Sequence, residues 1–241
     1  MAPYTPNKLT AMHYKHLGLG ATMLDDNGWQ RPAYYSSVQK ETAIIKKTGG
    51  ICDISPNGKI SLHGLALDRS IELAFSYAGT LMTGRVARCS TQLTRTSPET
   101  SALLCSLSKD EAFITTMPET IDSVVDYLMK HIDKCSHLIN VTSGLAGVKV
   151  IGPLGGALMS RLTELPLNGN NFPDLSCTQT KLAELHALIL RSDELEQPCY
   201  KVYVERSYGE FIWEATLNAG HDLGLQPVGI EALHLLNSVA G

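Results

Sequence analysis

Six cysteines, eight histidines and a short run of acids are the residues through which this 241-residue chain could do chemistry. The cysteines are Cys52, Cys89, Cys105, Cys135, Cys177 and Cys199, and no pair is separated by two residues. That spacing removes zinc-knuckle and Cys-x-x-Cys redox chemistry. Scattered thiols in a chain with a sizeable core act as small apolar residues and are expected reduced, in a cytoplasmic protein. His13 and His16 lie three apart, as two metal ligands on one helical turn would, but no third ligand is adjacent. They read as surface polar residues. His131, Cys135 and His137 cluster where a helix should end, and His131 there complements the helix C-terminus without a metal. Asp193, Glu194 and Glu196 precede Pro198. Neighbouring acids on a strand point to alternating faces, so these read as a solvated loop rather than an acid–base pair. Gly18-Leu19-Gly20 has Met23 where a dinucleotide fingerprint needs its third glycine, and reads as a turn. Neither a Gly-x-Ser-x-Gly elbow nor a phosphate-cradling glycine loop occurs.

The composition sets the frame for that chemistry. Apolar residues make up 44% and charged residues 18%, a mix able to bury a large core. Twenty-four acids against 20 Lys and Arg leave a formal charge of -4, which argues against nucleic-acid binding. No apolar run of about 18 residues exists, so a membrane-spanning helix is not expected. The start, Met1 to Lys8, has no basic region followed by an apolar run, so no signal peptide is read.

The elements that must position these residues follow from local pattern. The first forty residues, with Gly18, Gly20, Gly28 and Pro32 among Trp29, Tyr34 and Tyr35, suit an extended, turn-rich opening segment. Ser36-Ser37 offers N-cap oxygens for a helix to about Thr48, and Gly49-Gly50 stops it. Ile51–Ser55 reads as a strand, and Asn57-Gly58 as a turn into the alternating strand Lys59–His63. A helix over Asp68–Tyr77 comes next, followed by strands over Arg85–Leu93, Ala102–Leu107 and Ala112–Thr116. Ile121, Val124, Val125, Leu128 and Ile132 form the clearest amphipathic stripe, on a helix opened by Pro118 and facing a sheet. The second half repeats this grammar: a strand over Gly147–Gly152, then a helix over Leu154–Leu162. Aligning Gly152 with Gly64 also superposes Ser143 on Ser55, which suggests a duplicated unit. Leu165–Thr178 reads as a loop, Leu185–Leu190 and Tyr200–Val204 as strands, and Tyr208–His221 as a helix. Gln226-Pro227-Val228-Gly229 starts a last helix. Helices following groups of strands, twice over, indicate α+β rather than a doubly wound parallel sheet. Trp29 and Trp213 read as core or rim aromatics.

Four segments, in order from about residue 11 to 241, together resemble the glycine-cleavage T-protein (aminomethyltransferase) superfamily. They are His16–Tyr35 (HLGLGATMLDDNGWQRPAYY), Glu41–Gly64 (ETAIIKKTGGICDISPNGKISLHG), the strand–Gly–Pro–helix run Gly147–Leu162, and Gly224-Leu225-Gln226-Pro227-Val228-Gly229. The resemblance implies a folate-binding T-protein-type fold of two related antiparallel-sheet-plus-helix halves. It would be a single domain over 1–241, with lobes at roughly 1–135 and 136–241.

The same resemblance implies tetrahydrofolate in a central cavity and transfer of a methyl or other one-carbon group from a small donor to folate N5. The family segment Arg-Thr-Gly-Tyr-Thr-Gly-Glu-Asp-Gly-Tyr-Glu aligns with Arg191 through Lys201, keeping Arg191 and Tyr200 and placing its pterin-reading glutamate on Gln197. Tyr35, Arg191, Gln197 and Tyr200 are the implied folate contacts. The family's Gly-Gly-x-x-Asp-Asp segment is replaced by Ser97-Pro98-Glu99-Thr100-Ser101-Ala102. Glu99 or Ser101 would therefore stand near the transferred carbon in place of the family aspartate. The alternative is a non-catalytic folate-binding subunit or sensor, partnered with an amine-oxidising flavoprotein. The Lys-Gly-Cys-x-x-Gly-Gln-Glu motif of the iron–sulfur-assembly branch is missing, which disfavours that branch. Full-length T-proteins continue into a C-terminal barrel beyond the point matching Gly241, so a short form is expected.

Overall fold

The structure is a computed structural model, and it describes residues 8–65, 67–75, 81–92, 99–167 and 169–239. β1 (Lys8–Leu9), α1 (His13–Gly18), β2 (Thr22–Asp26) and β3 (Trp29–Tyr34) open the chain, the strands forming a small sheet in the order β1-β3-β2. α2 (Val38–Lys47) follows, capped by Ser37, whose hydroxyl accepts from the Lys40 N–H at 3.4 Å.

A repeated unit comes next. Its first copy runs β4 (Gly50–Asp53), β5 (Gly58–Gly64), α3 (Leu67–Ala74), β6 (Val86–Gln92), β7 (Glu99–Ser108), β8 (Glu111–Thr116) and α4 (Ile121–His131). The second runs β9 (Ser136–Asn140), β10 (Leu145–Ile151), α5 (Gly155–Leu162), β11 (Ser176–Leu182), β12 (Leu185–Arg191), β13 (Cys199–Glu205) and α6 (Gly209–Gly220). β14 (Gln226–Pro227) and α7 (Ile230–Val239) end the described chain.

The two large sheets have the orders β6-β7-β8-β5-β9 and β11-β12-β13-β10-β4-β14. Each copy thus builds the same four-strand order but lends its first strand to the other copy's sheet. β9 pairs with β5, and β4 pairs with β10. Asn57-Gly58 accordingly does not close a hairpin; it carries the chain from one sheet to the other. The two junctions superposed in sequence, Gly64 and Gly152, both have positive φ (156° and 134°) at the turn from a central strand into a helix.

Alternation along the strands sorts the core. In the first sheet Ile60, Leu62, Leu104 and Ile114 face α3 and α4, where Val124 and Leu128 of the expected stripe are fully buried. In the second, Val148, Val150, Ile189 and Val202 face α5 and α6, with Trp213 in that core. The opposite faces meet each other through Phe113, Cys105, Leu188 and Tyr203. Val228, Ile230, Leu233 and Leu236 pack with Ile45 over Cys52 and Ile151, closing the end of the second sheet. Among the described residues no helix is long and apolar enough to cross a membrane, and all six cysteines are free thiols.

Several sequence expectations change. α1 and the strands β2, β3 and β9 were not legible as regular elements, and β11 begins inside the expected loop. The last helix starts at Ile230, because Gln226-Pro227 pairs in parallel with β4 first. His16 is not a surface residue: it is fully buried. Leu93, Ser97-Pro98, Ser76-Tyr77 and the last two residues, on which sequence expectations also fall, lie outside the described residues.

Candidate functional site

Between the inner faces of the two large sheets the side chains leave a cavity of about 640 Å³, within the size range of about 300–1,000 Å³ typical of small-molecule sites. Ser90, Ser101, Leu103 and Thr115 line it from the first sheet, Lys149 and Lys201 from the second, and Ser192 and Glu194 from the loop after β12. Ile54, Asn57 and Arg31 form one wall, and Leu233, His234 and Asn237 of α7 another. Thr115 and Tyr203, whose hydroxyls lie 3.0 Å apart, bridge the two sheets.

The position of α7 is set by a buried carboxylate. Glu41 accepts from the Tyr35 and Ser36 N–H groups at 2.7 and 2.8 Å and from the Gly229 N–H at 2.8 Å. A side chain on α2 thereby ties the start of that helix to the start of α7.

The polar side of the cavity is built from cross-strand pairs. Lys149 on β10 lies directly opposite Lys201 on β13, and Cys52 on β4 opposite Lys149. Glu194, on the loop after β12, accepts from Lys149 at 2.5 Å and from Lys201 at 2.7 Å, one carboxylate oxygen to each. Burial would raise the Glu194 pKa, but the two ammonium groups reverse that and hold it at about 2. For Lys201, burial works against the charge and is outweighed by the neighbouring Cys199 and Glu194. Of the acids after Arg191, Glu196 is exposed, as a solvated loop would have it, but Asp193 and Glu194 are paired. Glu194 is clamped, and Asp193 takes both Nε and a terminal nitrogen of Arg191 at 2.8 and 2.7 Å.

Two polar atoms in the walls have no protein partner among the described residues: Arg31 Nε and Ser192 Oγ. Their residues are 3% and 1% exposed. Arg31 otherwise donates to Asp26 at 2.5 Å and to the Asp53 carbonyl at 3.5 Å.

The residues expected to form the site divide clearly. Ser101 lines the cavity. Glu99 opens the same strand, two residues earlier, its backbone paired opposite Gln92. Arg191 and Tyr200 lie on the outer face of the second sheet. Arg191 donates to the Phe172 carbonyl at 2.8 Å, and its guanidinium lies 5.7 Å from the Tyr200 ring centre. The Tyr200 hydroxyl donates to the Leu167 carbonyl at 2.8 Å. Gln197 exchanges backbone hydrogen bonds with Glu194 at 3.0 and 2.9 Å, across a turn in which Leu195 and Glu196 have φ of 55° and 61°. Gln197 and Arg191 thus brace the loop that carries Glu194 into the cavity. In the aligned family segment the final glutamate, not the earlier one, falls on a cavity residue, Lys201.

Tyr35 sits elsewhere, in a buried relay. Its hydroxyl donates to His16 Nδ1 at 2.9 Å, and His16 Nε2 donates to Asp53 at 3.0 Å. Burial would raise the Asp53 pKa, but hydrogen bonds from His16 and Ser55 hold it below the usual carboxylate value. The relay pins α1 and β3 to β4. Sequence reading missed Glu194, Lys149 and Lys201. The available signal was a lysine between apolar neighbours, Val148-Lys149-Val150 and Tyr200-Lys201-Val202, at strand positions facing inward.

Two interlocked sheet-and-helix units around an inter-sheet cavity define an α+β protein of the T-protein fold. The chain belongs to the GCVT N-terminal domain family, whose model matches residues 12–238. It is 23% identical over 242 residues to an aminomethyltransferase of Halothermothrix orenii, covering 97% of this chain and 65% of that protein. It is likewise 23% identical over 259 residues to the sarcosine oxidase subunit alpha of Rhizobium meliloti, covering 99% of this chain and 26% of the relative. The solved glycine cleavage system aminomethyltransferase T of Bartonella henselae superposes with a TM-score of 0.81 at 18% identity, over 93% of this chain and 60% of that one. The chain therefore spans less than two thirds of these aminomethyltransferases and about a quarter of the oxidase subunit.

Proposed function

We propose that the cavity binds a reduced folate and that the chain serves transfer of a methyl or other one-carbon group between a small donor and that folate. The observation that carries the reading is a cavity of ligand size between the two sheets, with the Lys149–Glu194–Lys201 cluster as its polar side and Leu233 of α7 on the other. The aminomethyltransferase and sarcosine oxidase relatives support the one-carbon assignment.

The residues present fit tetrahydrofolate. A pterin edge offers paired N–H donors. Each Glu194 oxygen holds one lysine and keeps a further lone pair, so the carboxylate can still accept from that edge. Bound there, tetrahydrofolate would supply N5 as the atom that receives the carbon. The chain's own part is positioning. Arg191 and Gln197 hold the Glu194 loop, Leu233 of α7 covers the apolar side, and Ser101, with Glu99 on the same strand, stands near the carbon in transit. Tyr35 and Tyr200 act through the packing that shapes the walls. A cytoplasmic setting accords with six free thiols.

A specific observation favours the second reading, a folate-binding subunit without turnover. Both carboxylates among the described lining residues are already engaged, Asp193 by Arg191 and Glu194 by two lysines. Such a subunit would work beside an amine-oxidising flavoprotein. Anaerobic titration with tetrahydrofolate, followed by a search for methyl- or methylene-folate over a donor panel, decides. Binding with product supports the transferase. Binding without product, together with co-purification of a flavoprotein, supports the subunit. Absence of binding removes both.

A further inference from the structure

Across the inner face of the second sheet, one row of residues reads Leu190, Lys201, Lys149, Cys52 from strand to strand. Like charges directly opposite on neighbouring strands repel. Here both lysines are also nearly removed from water, at 6% and 7% exposure. Glu194 brings one negative charge to the two. Each ammonium has three N–H donors. Lys149 gives one to Glu194, and Lys201 gives one to Glu194 and makes a long contact of 3.9 Å to the Cys199 sulfur. Cys52, at the end of the row, lies in the fields of both Lys149 and Arg31. Of the four cations lining the cavity, Arg31 and Arg88 also have acid partners, Asp26 and Asp174. The lysine pair keeps an excess positive charge and unused donors among the described residues, beside the unpartnered Arg31 Nε and Ser192 Oγ. A buried excess charge of this kind is costly unless an ion of opposite sign meets it.

We infer that this face of the cavity is a carboxylate subsite, in which Lys149 and Lys201 receive the carboxylate of an acidic small molecule. The inference deepens the folate reading and rests on it for the identity of the ligand. The carboxylate belongs to a separate acidic one-carbon donor if the pterin edge sits on Glu194, or to the glutamyl tail of the folate if the pterin lies elsewhere in the cavity, because the two ends of one folate cannot both reach this cluster. In either case a cationic methylammonium is the wrong partner for this face, since it would meet two ammonium groups.

The test is calorimetric titration of the full chain with three probes: glutarate, p-aminobenzoylglutamate and 6-methyltetrahydropterin. Both acids are expected to bind wild-type protein. Lys149→Met leaves Glu194 paired one to one with Lys201, and should weaken both acids at least about tenfold with the circular dichroism spectrum unchanged. A preference for p-aminobenzoylglutamate assigns the subsite to the folate tail and takes the pterin edge off Glu194, and a preference for glutarate assigns it to a separate donor. Failure of both acids to bind wild-type protein at millimolar concentration overturns the inference, whether or not the tetrahydropterin binds. Equal acid affinity in a folded Lys149→Met protein overturns it too. Acid binding without any tetrahydropterin binding leaves the subsite standing and removes the folate reading instead. Should the variant not fold, side-chain NMR of Lys149 and Lys201 in wild-type protein replaces it. Both signals are expected to move on addition of glutarate, and signals that stay fixed overturn the inference.

Discussion

Glu194 concentrates the electrostatics of the cavity in one side chain. Its carboxyl, usually near 4.5, is held at about 2 by Lys149 and Lys201 against the opposing effect of burial. A folded-state pKa below the unfolded one stabilises the fold at pH above the unfolded value, and that contribution is lost as pH falls through the folded value. The Glu194 contribution is therefore complete above about pH 4.5 and declines toward about pH 2. Glu194→Gln leaves two buried ammonium groups without their counter-charge and should cost about 3 kcal/mol at neutral pH. Urea midpoints of wild type and variant are expected to differ most above pH 4.5 and to converge below it. A gap constant from neutral pH to pH 3 would show that the Glu194 charge contributes nothing. None of this was legible from the run Asp193-Glu194-Leu195-Glu196. Alternation along a strand sends neighbouring acids to opposite faces, but Leu195 and Glu196 are in the left-handed region and turn the chain instead. The charges that clamp Glu194 come from lysines 45 and 7 residues away, beyond the reach of local pattern. Burial of His16 was hidden for the same reason, since Asp53 lies 37 residues on.

At the scale of elements, local pattern was a better guide, and its failures are topological. The α4 stripe placed Val124 and Leu128 against the sheet because a 3.6-residue period depends only on the helix itself. The strand β5 was legible from alternation, but its partners were not, since Asn57-Gly58 fits a hairpin as well as a crossing between sheets. The glycine at each strand-to-helix junction carries more information. At Gly152 a Cβ would stand 2.7 Å from the Ile45 carbonyl oxygen, in a backbone with φ 134°. Gly152→Ala should therefore cost about 3 kcal/mol, combining backbone strain with overpacking. Gly28, with φ 80° and open space around it, provides the comparison. Gly28→Ala should cost only about 1 kcal/mol, from the left-handed backbone alone. Equal losses in urea unfolding would show that the close approach at Gly152 is relieved by backbone movement. The loop after β12 is a third such element, braced by Arg191 through Asp193 and Phe172. Arg191→Ala should loosen it and weaken tetrahydrofolate binding by about 1–3 kcal/mol with the circular dichroism spectrum unchanged. Unchanged affinity in a folded variant would remove Arg191 from the binding machinery.

For the whole molecule, the exchange of first strands between the two units decides how the protein folds and why a cavity forms. The repeat was readable as strand, glycine, helix in both halves, and a cut at 135/136, the lobe division expected from the sequence, would run just before β9. Sequence similarity cannot tell which sheet a strand joins, because β4 and β9 have the same neighbours in chain order in either arrangement. In the structure β9 completes the first sheet along β5, over five residue pairs, and β4 extends the second along β10, over four. Fragments cut at this boundary would each lack a strand that covers a central strand, exposing the backbone N–H and C=O groups of β5 in one and β10 in the other. Their inner faces would also lose the contacts that Phe113 and Tyr203 make with each other. Separately produced fragments 1–135 and 136–241 are therefore expected to be unfolded or aggregated alone. Mixed from denaturant, they should recover a complex with the far-ultraviolet spectrum of the intact chain. The intact protein should unfold in one transition, with the fluorescence of Trp29 in the opening sheet and Trp213 in the second unit following the same urea curve as total helix content. A fragment that folds by itself with a sharp unfolding transition would show that the exchanged strand adds little, and that the lobes are independent bodies which merely enclose the cavity.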